Sequence, residues 1–261
     1  MKVESSQAAA RERWHKVLVE GHTSLNKAHA VFRFIPSAPR CKVCHNPFGG
    51  LGGKLVGLFG FTRSRKNPNL CAKCCDALPE GGADVDIAVL FADVRGSTAL
   101  GERMSADAFA TVLNRFYRVA TEALIRHDAI IDKLIGDEVM ALFIPGICGP
   151  DYKRHAVEGA IDLMKAVGYG SASEPLLPIG AAVNSGVCYV GNVGSPGVVD
   201  FTALGDPVNT ASRMAEQAGA GEALLSESVY EPVTSRLPDL ETRELNVRGK
   251  EAALTVRVWR V

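Results

Sequence analysis

Apolar and amphipathic side chains recur at Trp14, Leu18, His22, Leu25, Ala28 and Phe32, with charges between them. That spacing predicts an amphipathic helix over residues 5–34, ended by Pro36 and Pro39, whose apolar face packs on its own domain or pairs with a twin. The periodicity then fades. Residues 41–75 are rich in cysteine and glycine, and Glu80-Gly81-Gly82-Ala83 has the composition of a linker. From Asp84 the texture changes to short β-like runs between helical ones. Ile87–Phe91 reads as an apolar strand, Ala106–His127 as an amphipathic helix, and Ile130–Phe143 as two strands around a Gly136-Asp137 turn. Tyr152–Tyr169 is a further helix, Leu177–Val193 is rich in strand formers, and Val208–Ala218 is helical. No segment repeats. The order predicts an α+β fold with helices on one face of a sheet, in two domains: 1–80, with the first helix and the cysteine-rich module, and 81–261.

Hydrophobic residues make up 47% of the 261 and charged residues 22%, which is ordinary for a chain that buries a core. Lys+Arg and Asp+Glu both number 29, so the chain as a whole has no charge to draw in a nucleic acid or an anionic membrane, and neither is expected as a partner. A polyphosphate would have to be met locally, by a few placed cations or metals. The start of the chain has no continuous apolar run, so no signal peptide is expected. The longest apolar stretches fall far short of the ~20 residues of a spanning helix, and the expected location is the cytoplasm.

Five of the seven cysteines lie between residues 41 and 75; Cys148 and Cys188 read as buried apolar residues. Cys41-Lys42-Val43-Cys44 and Cys71-Ala72-Lys73-Cys74 are two CxxC pairs separated by 26 residues. Each pair can offer two thiolates from one tight turn, and two such turns complete a tetrahedral site, so Cys41, Cys44, Cys71 and Cys74 are expected to hold a structural Zn2+. The glycine-rich stretch between them has too few large apolar residues for a core, which makes a metal staple useful. Cys75 reads as spare. An iron–sulfur cluster uses the same four thiolates and stays open as an alternative. The CxxCH pattern of Cys41–His45 and a redox dithiol fit less well, the latter for want of a thioredoxin-like βαβ unit. Arg63, Arg65 and Lys66 beside the cysteines suggest a zinc-dependent nucleic-acid binder, but no continuous basic face or aromatic interleaving accompanies them.

Three later segments carry carboxylates and cations in a set order. In Val89-Leu90-Phe91-Ala92-Asp93-Val94-Arg95-Gly96-Ser97-Thr98 an apolar strand ends in a carboxylate suited to a hard cation, and the amides of Val94, Gly96, Ser97 and Thr98 are placed to face phosphate oxygens. In Ile130–Ala141, Asp137 stands at a hairpin turn with Lys133 four residues before it. Two carboxylates placed so can converge on two metals. In Asp200–Met214, Asn209 and Arg213 share one helix face, an amide to orient a sugar and a guanidinium for developing phosphoryl charge. Val247-Arg248-Gly249-Lys250 adds cations near the end. Each segment alone also describes an ordinary capped helix or turn.

Together these stretches resemble the catalytic domain of the class III adenylate and guanylate cyclases, over about residues 84–261. The resemblance implies a ferredoxin-like palm, with active sites between two head-to-tail subunits of a homodimer. It implies that Asp93, Asp137 and the backbone carbonyl of Val94 bind two Mg2+ or Mn2+ ions, and that Lys133 and Thr202 select the base. It further implies that Asn209 and Arg213 position ribose and stabilise the transition state. Arg248 stands where many members have a triphosphate-binding lysine, a change that keeps charge and alters geometry. Thr202 stands where mammalian adenylate cyclases carry an aspartate. Asn184-Ser185-Gly186-Val187 through Val190-Gly191-Asn192-Val193-Gly194 looks like the family's glycine-marked dimer hairpin. Adenine offers an acceptor at N1 and a donor at its amino group; Lys133 is donor only and Thr202 can accept, so ATP is the expected substrate and cyclic AMP the product. Guanylate cyclase is the nearest alternative. Diguanylate cyclase and a catalytically silent cyclase-fold regulatory module fit less well, because Ile135 replaces the first glycine of the diguanylate turn and neither metal aspartate nor Arg213 is missing.

Overall fold

Ile87, Ala88, Val89 and Leu90 are all buried, which a strand achieves only when both its faces are covered. The structure, a computed structural model, describes residues 2–21, 39–64, 67–76, 81–195, 198–250 and 252–260. Its order is α1 (Lys2–Glu20), α2 (Gly50–Gly57), α3 (Ala72–Asp76), β1 (Gly81–Val94), α4 (Ser97–Arg103), α5 (Ala106–Arg126), β2 (Ile130–Ile135), β3 (Glu138–Phe143), α6 (Pro145–Cys148) and α7 (Tyr152–Val167). There follow β4 (Ile179–Ser195), β5 (Val198–Leu204), α8 (Asp206–Gln217), β6 (Glu222–Ser226), α9 (Glu227–Tyr230), β7 (Glu241–Leu245) and β8 (Leu254–Arg260). The sheet order is β2-β3-β1-β4-β6-β8-β7, with β5 paired to β4, and it is the α+β arrangement expected.

The chain divides into two compact units. One comprises Asp86–Phe143, Asp151–Cys188 and Gly205–Val261. Here β1 pairs antiparallel with β3, Leu90 opposite Ala141 and Asp93 opposite Glu138, while β4 and β6 run parallel. Helix α5 starts at Ser105, whose hydroxyl accepts from the Ala108 N–H at 3.3 Å. It buries Leu113, Phe116, Ala120, Ala123 and Leu124, a helical stripe that packs on α7 and on β2 and β3. Gly159 lets α7 come in, since a Cβ there would stand 3.2 Å from the Phe143 ring. Phe116, Phe143, Leu90 and Leu142 form the centre of this core.

The other unit comprises Met1–Val85, Ile144–Pro150 and Tyr189–Leu204. Trp14 and Leu18 of α1 are buried, and Trp14 stacks on Phe201 of β5 with ring centroids 6.2 Å apart. Gly146 meets α1 so closely that a Cβ would lie 2.3 Å from the Val17 carbonyl oxygen. An apolar cavity lined by Trp14, Leu18, Val43, Leu70, Ile147 and Phe201 joins the first helix and the cysteine segment to the β4–β5 pair.

Three sequence expectations change. The first helix ends at Glu20, with Gly21 at φ +74°, and not at Pro36; His22, Leu25, Ala28, Phe32 and Pro36 lie outside the described residues. Gly81-Gly82-Ala83 is no linker but the start of β1, where a Cβ on Gly82 would stand 2.3 Å from the Val190 carbonyl oxygen, so glycine there serves close strand approach. Residues 184–194 are not a hairpin: they lie within one continuous strand, β4, whose hairpin partner is β5. Gly186 is an in-strand clearance for the Pro207 ring, 2.7 Å from where a Cβ would sit.

Two outcomes follow for stability. Gly191→Ala would put a Cβ 2.3 Å from the Gly81 carbonyl oxygen, so it should lower stability by about 1–3 kcal/mol, whereas Gly101→Ala, whose nearest neighbour is 3.9 Å away on a Phe109 ring, should not; thermal melting separates them. Glu222 is held by Arg243 and Arg260 at 2.8 Å, and these partners bring its carboxyl from an ordinary 4.5 down to about 2. A carboxyl depressed on folding contributes stability that is complete above the ordinary value and is lost as pH falls toward the folded one. The stability gap between the parent and Glu222→Gln, on the order of 2 kcal/mol at neutral pH, should therefore close between about pH 4.5 and pH 2, read by denaturant unfolding at each pH.

Candidate functional site

The β1–β3 ladder brings the carboxylates together. Asp93 is the last residue but one of β1 and lies opposite Glu138, the first of β3. Asp137 precedes Glu138 in the two-residue Gly136-Asp137 turn, in which Gly136 takes φ +59°, a conformation that favours glycine. The Val94 N–H donates to the Asp137 carbonyl at 3.2 Å and locks turn to strand end. That amide is therefore committed within the protein and does not face a phosphate, contrary to the sequence expectation. Asp93 is pushed up to about 6, chiefly by burial, then by its hydrogen bond and charge contact with Asp137, with Arg95 opposing. Glu138 rises to about 7, by burial first and then by the charges of Asp93, Asp137 and Glu216. Half-buried carboxylates gathered this closely make a donor set suited to a hard divalent cation.

Three residues around this set were assigned no role from sequence. The Arg95 guanidinium contacts Asp93 and donates to the Glu216 and Ala218 carbonyls at 2.9 and 3.4 Å, while its N–H donates to Pro178 at 2.7 Å. The Tyr117 hydroxyl donates to the Gly136 carbonyl and clamps the turn that carries Asp137. Glu138 adds a third carboxylate. Arg95 and Glu138 sit beside the aspartates in the chain, which was a usable signal. Tyr117 lies on α5 and gave none.

Gly96, at φ +70°, caps α4, and a Cβ there would meet nothing within 4 Å. The first-turn amides of Ser97 and Thr98 have no intrahelical acceptor, as at any helix start. Lys133 follows an irregularity in the β2–β3 register at Asp132, which re-aims its half-buried side chain. Thr202 is buried on β5 opposite Gly191, in the unit that contains α1; Lys133 belongs to the other unit. On α8, Thr210, Ala211, Met214 and Ala215 face the core, which leaves Asn209 exposed and Arg213 half-buried on the opposite side. The Asn184 side-chain amide donates to the Pro207 carbonyl at 2.9 Å and fixes the start of α8. Arg213 donates to the Arg248 carbonyl, and Lys250 pairs with Asp206. The 247–250 turn thus lies along α8 with Arg248 exposed. Gly249, at φ +80°, leaves room for the guanidinium, since a Cβ would stand 3.2 Å from it.

The cysteines form a second, separate group. The Sγ atoms of Cys41, Cys44, Cys71 and Cys74 all lie within 4.8 Å of one another. Cys44 and Cys71 are 3.6 Å apart at sulfur, close to the ~3.8 Å that a tetrahedron with 2.3 Å zinc–sulfur bonds requires. Each CxxC turn aims backbone amides at sulfur: Cys44 N–H and Cys71 N–H donate to Cys41 Sγ at 3.5 and 3.3 Å, and Cys74 N–H donates to Cys71 Sγ at 3.3 Å. The Asn46 side chain adds a donor to Cys44 at 3.3 Å. Hydrogen bonds from the neighbouring thiols pull Cys41 down, and Cys44 falls to about 7, while Cys71 and Cys74 are pushed up by the sulfurs already charged. Four sulfurs in this volume make a donor set that fits one metal ion.

The catalytic-domain model of the adenylate and guanylate cyclases matches residues 83–259, and the chain belongs to that family. An adenylate cyclase of Anabaena cylindrica is 31% identical over 183 residues, 64% of this chain and 35% of that one. An uncharacterised Mycobacterium tuberculosis protein is 33% identical over 146 residues, 56% of this chain; the chain spans 26% of that relative's length. Among solved structures, the adenylyl cyclase CyaB from P. aeruginosa is 29% identical with a TM-score of 0.58, over 67% of this chain and 94% of that one. The guanylyl cyclase Cya2 has a TM-score of 0.63 at 24% identity, over 68% of this chain and 93% of that one, a likeness of fold. No helix among the described residues is long and apolar enough to cross a membrane.

The cysteine geometry gives one direct outcome. Protein purified without added zinc should carry about one zinc ion per chain, and Cys74→Ser should lose it together with the thermal stability of the α1–α3 region. Iron with a charge-transfer band would point to a cluster instead.

Proposed function

We propose that this chain is an adenylate cyclase, which converts ATP into 3′,5′-cyclic AMP and pyrophosphate at sites shared by a head-to-tail homodimer, its catalytic part over 81–261 following a metal-stapled module within 1–80. The observation that carries the reading is the convergence of Asp93 and Asp137 at the β1 end and the β2–β3 turn, with burial and mutual charge raising Asp93 to about 6. Asp93, Asp137 and the Val94 carbonyl would hold two Mg2+ or Mn2+ ions, which when bound acidify the ribose 3′-hydroxyl and neutralise the triphosphate.

The chain's own residues do the rest. Lys133 donates to adenine N1 and Thr202 accepts from the amino group, a pairing that guanine cannot satisfy. Asn209 orients the ribose. Arg213 spends one donor on the Arg248 carbonyl and keeps others for charge growing on the α-phosphorus. Ser97 and Thr98 amides, with Gly96 open beside them, receive phosphate oxygens, and Arg248 meets the leaving pyrophosphate. Positioning and charge suffice for an in-line displacement, with no covalent enzyme intermediate. Exposed Leu134 and Ile135 at the end of the edge strand β2, and Val187 on β4, are apolar surface for a second copy to cover.

A product assay with ATP and GTP, each with magnesium or manganese, decides the base: cyclic AMP is expected, and a preference for GTP would reassign Lys133 and Thr202. Asp93→Ala and Asp137→Ala should each lower turnover at least about 10²-fold in a folded protein. Asp137→Ala mixed in equal amount with Arg213→Ala should recover roughly one quarter of native activity once subunit exchange is verified with tagged chains, because half the dimers are mixed and each keeps one whole site. Mixed dimers without activity would overturn the shared site.

A further inference from the structure

Helix α2 is built the wrong way round for a helix in water. Its buried residues are Gly52 and Val56, and Gly53 sits so close to Phe48 that a Cβ would stand 2.5 Å from the Phe48 carbonyl carbon. The large apolar side chains face outward: Leu51 is 84% exposed, Leu55 61%, Leu58 83% and Phe59 68%. Their spacing puts them on one stripe that continues past the helix end. Burying glycine while exposing leucine reverses the usual preference, and a contiguous stripe of this size marks an interaction surface.

Charge identifies what covers it. From Gly21 to Cys75 the sequence has nine Lys and Arg residues and no Asp or Glu, in a chain whose totals balance at 29 each. Of the described cations, Lys54 stands in the last turn of α2, and Arg63 and Lys73 are exposed nearby in sequence. The Lys73 ammonium lies 4.3 Å over the Phe61 ring and the Arg63 guanidinium 5.9 Å over Phe48, so cations and aromatic rings surround the segment. A nucleic acid would use the cations and leave four large apolar groups in water. A protein partner with a matching apolar groove would not require a rim of a single sign. An anionic bilayer takes both, the stripe among the upper acyl carbons and the cations at the phosphates.

We propose that the α2 stripe docks the cysteine module peripherally on an anionic lipid surface. The neutrality of the whole chain, which spoke against a membrane partner, averages this one-signed segment with an acidic remainder. The full chain, sedimented with vesicles of phosphatidylcholine alone or with about one third phosphatidylglycerol, should bind the anionic vesicles and leave the neutral ones, at least tenfold more weakly as salt rises from about 0.1 to about 0.5 M. Leu55→Glu/Leu58→Glu should lower vesicle binding at least tenfold with unchanged melting and unchanged turnover in vesicle-free solution. If that variant melts early, Leu58→Ser/Phe59→Ser, beyond the helix, carries the same test. Equal binding to neutral vesicles, binding kept by the folded variants, tighter binding to duplex DNA than to vesicles, or a change of assembly state in the variants, which would assign the stripe to a second copy, would each overturn the proposal.

Discussion

The site depends on holding like charges together. Asp137 raises Asp93, and Asp93 and Asp137 raise Glu138; left to a flexible chain these carboxylates would separate. What prevents this is backbone: six residue pairs of the β1–β3 ladder, the Val94–Asp137 hydrogen bond across the turn, and the Tyr117 hydroxyl on the Gly136 carbonyl. None of these bonds uses a carboxylate. Arg95 contacts Asp93 through one guanidinium nitrogen, and another donates to the Glu216 and Ala218 carbonyls at the end of α8. The strand core, through Leu90, Leu142 and Phe143, thus stabilises a charge arrangement that chemistry alone disfavours.

The cysteine group solves the same problem with far less material. Among the described residues, two tight turns and inward-pointing amides hold Cys41, Cys44, Cys71 and Cys74 together. A metal there would be part of the fold, whereas metals at the carboxylates would be part of the chemistry. The apolar cavity lined by Trp14, Leu70 and Phe201 places the cysteine segment against the strand that carries Thr202.

Much of this was legible in the residues themselves. Alternating and helical periodicities marked α5, β2, β3 and α7 to within a few residues, because their apolar stripes are long and their ends carry capping or turn residues such as Ser105 and Gly136. The carboxylates, the Asn209–Arg213 pair and the two CxxC turns could be singled out in the sequence by residue type and spacing, and the structure brings Asp93 beside Asp137 and the four cysteines into one group. Tertiary structure decided what depends on neighbours distant in sequence. Gly81-Gly82 is strand because Val190 and Gly191 approach it, and Gly186 is strand interior because Pro207 needs the room. Composition reads the first as a linker and the family resemblance reads the second as part of a dimer hairpin, since a glycine's absent side chain tells nothing of what fills its place. The Val94 amide, the Tyr117 clamp and the outward leucines of α2 were hidden for the same reason: periodicity shows that a segment has a face, and only packing shows which face finds a partner.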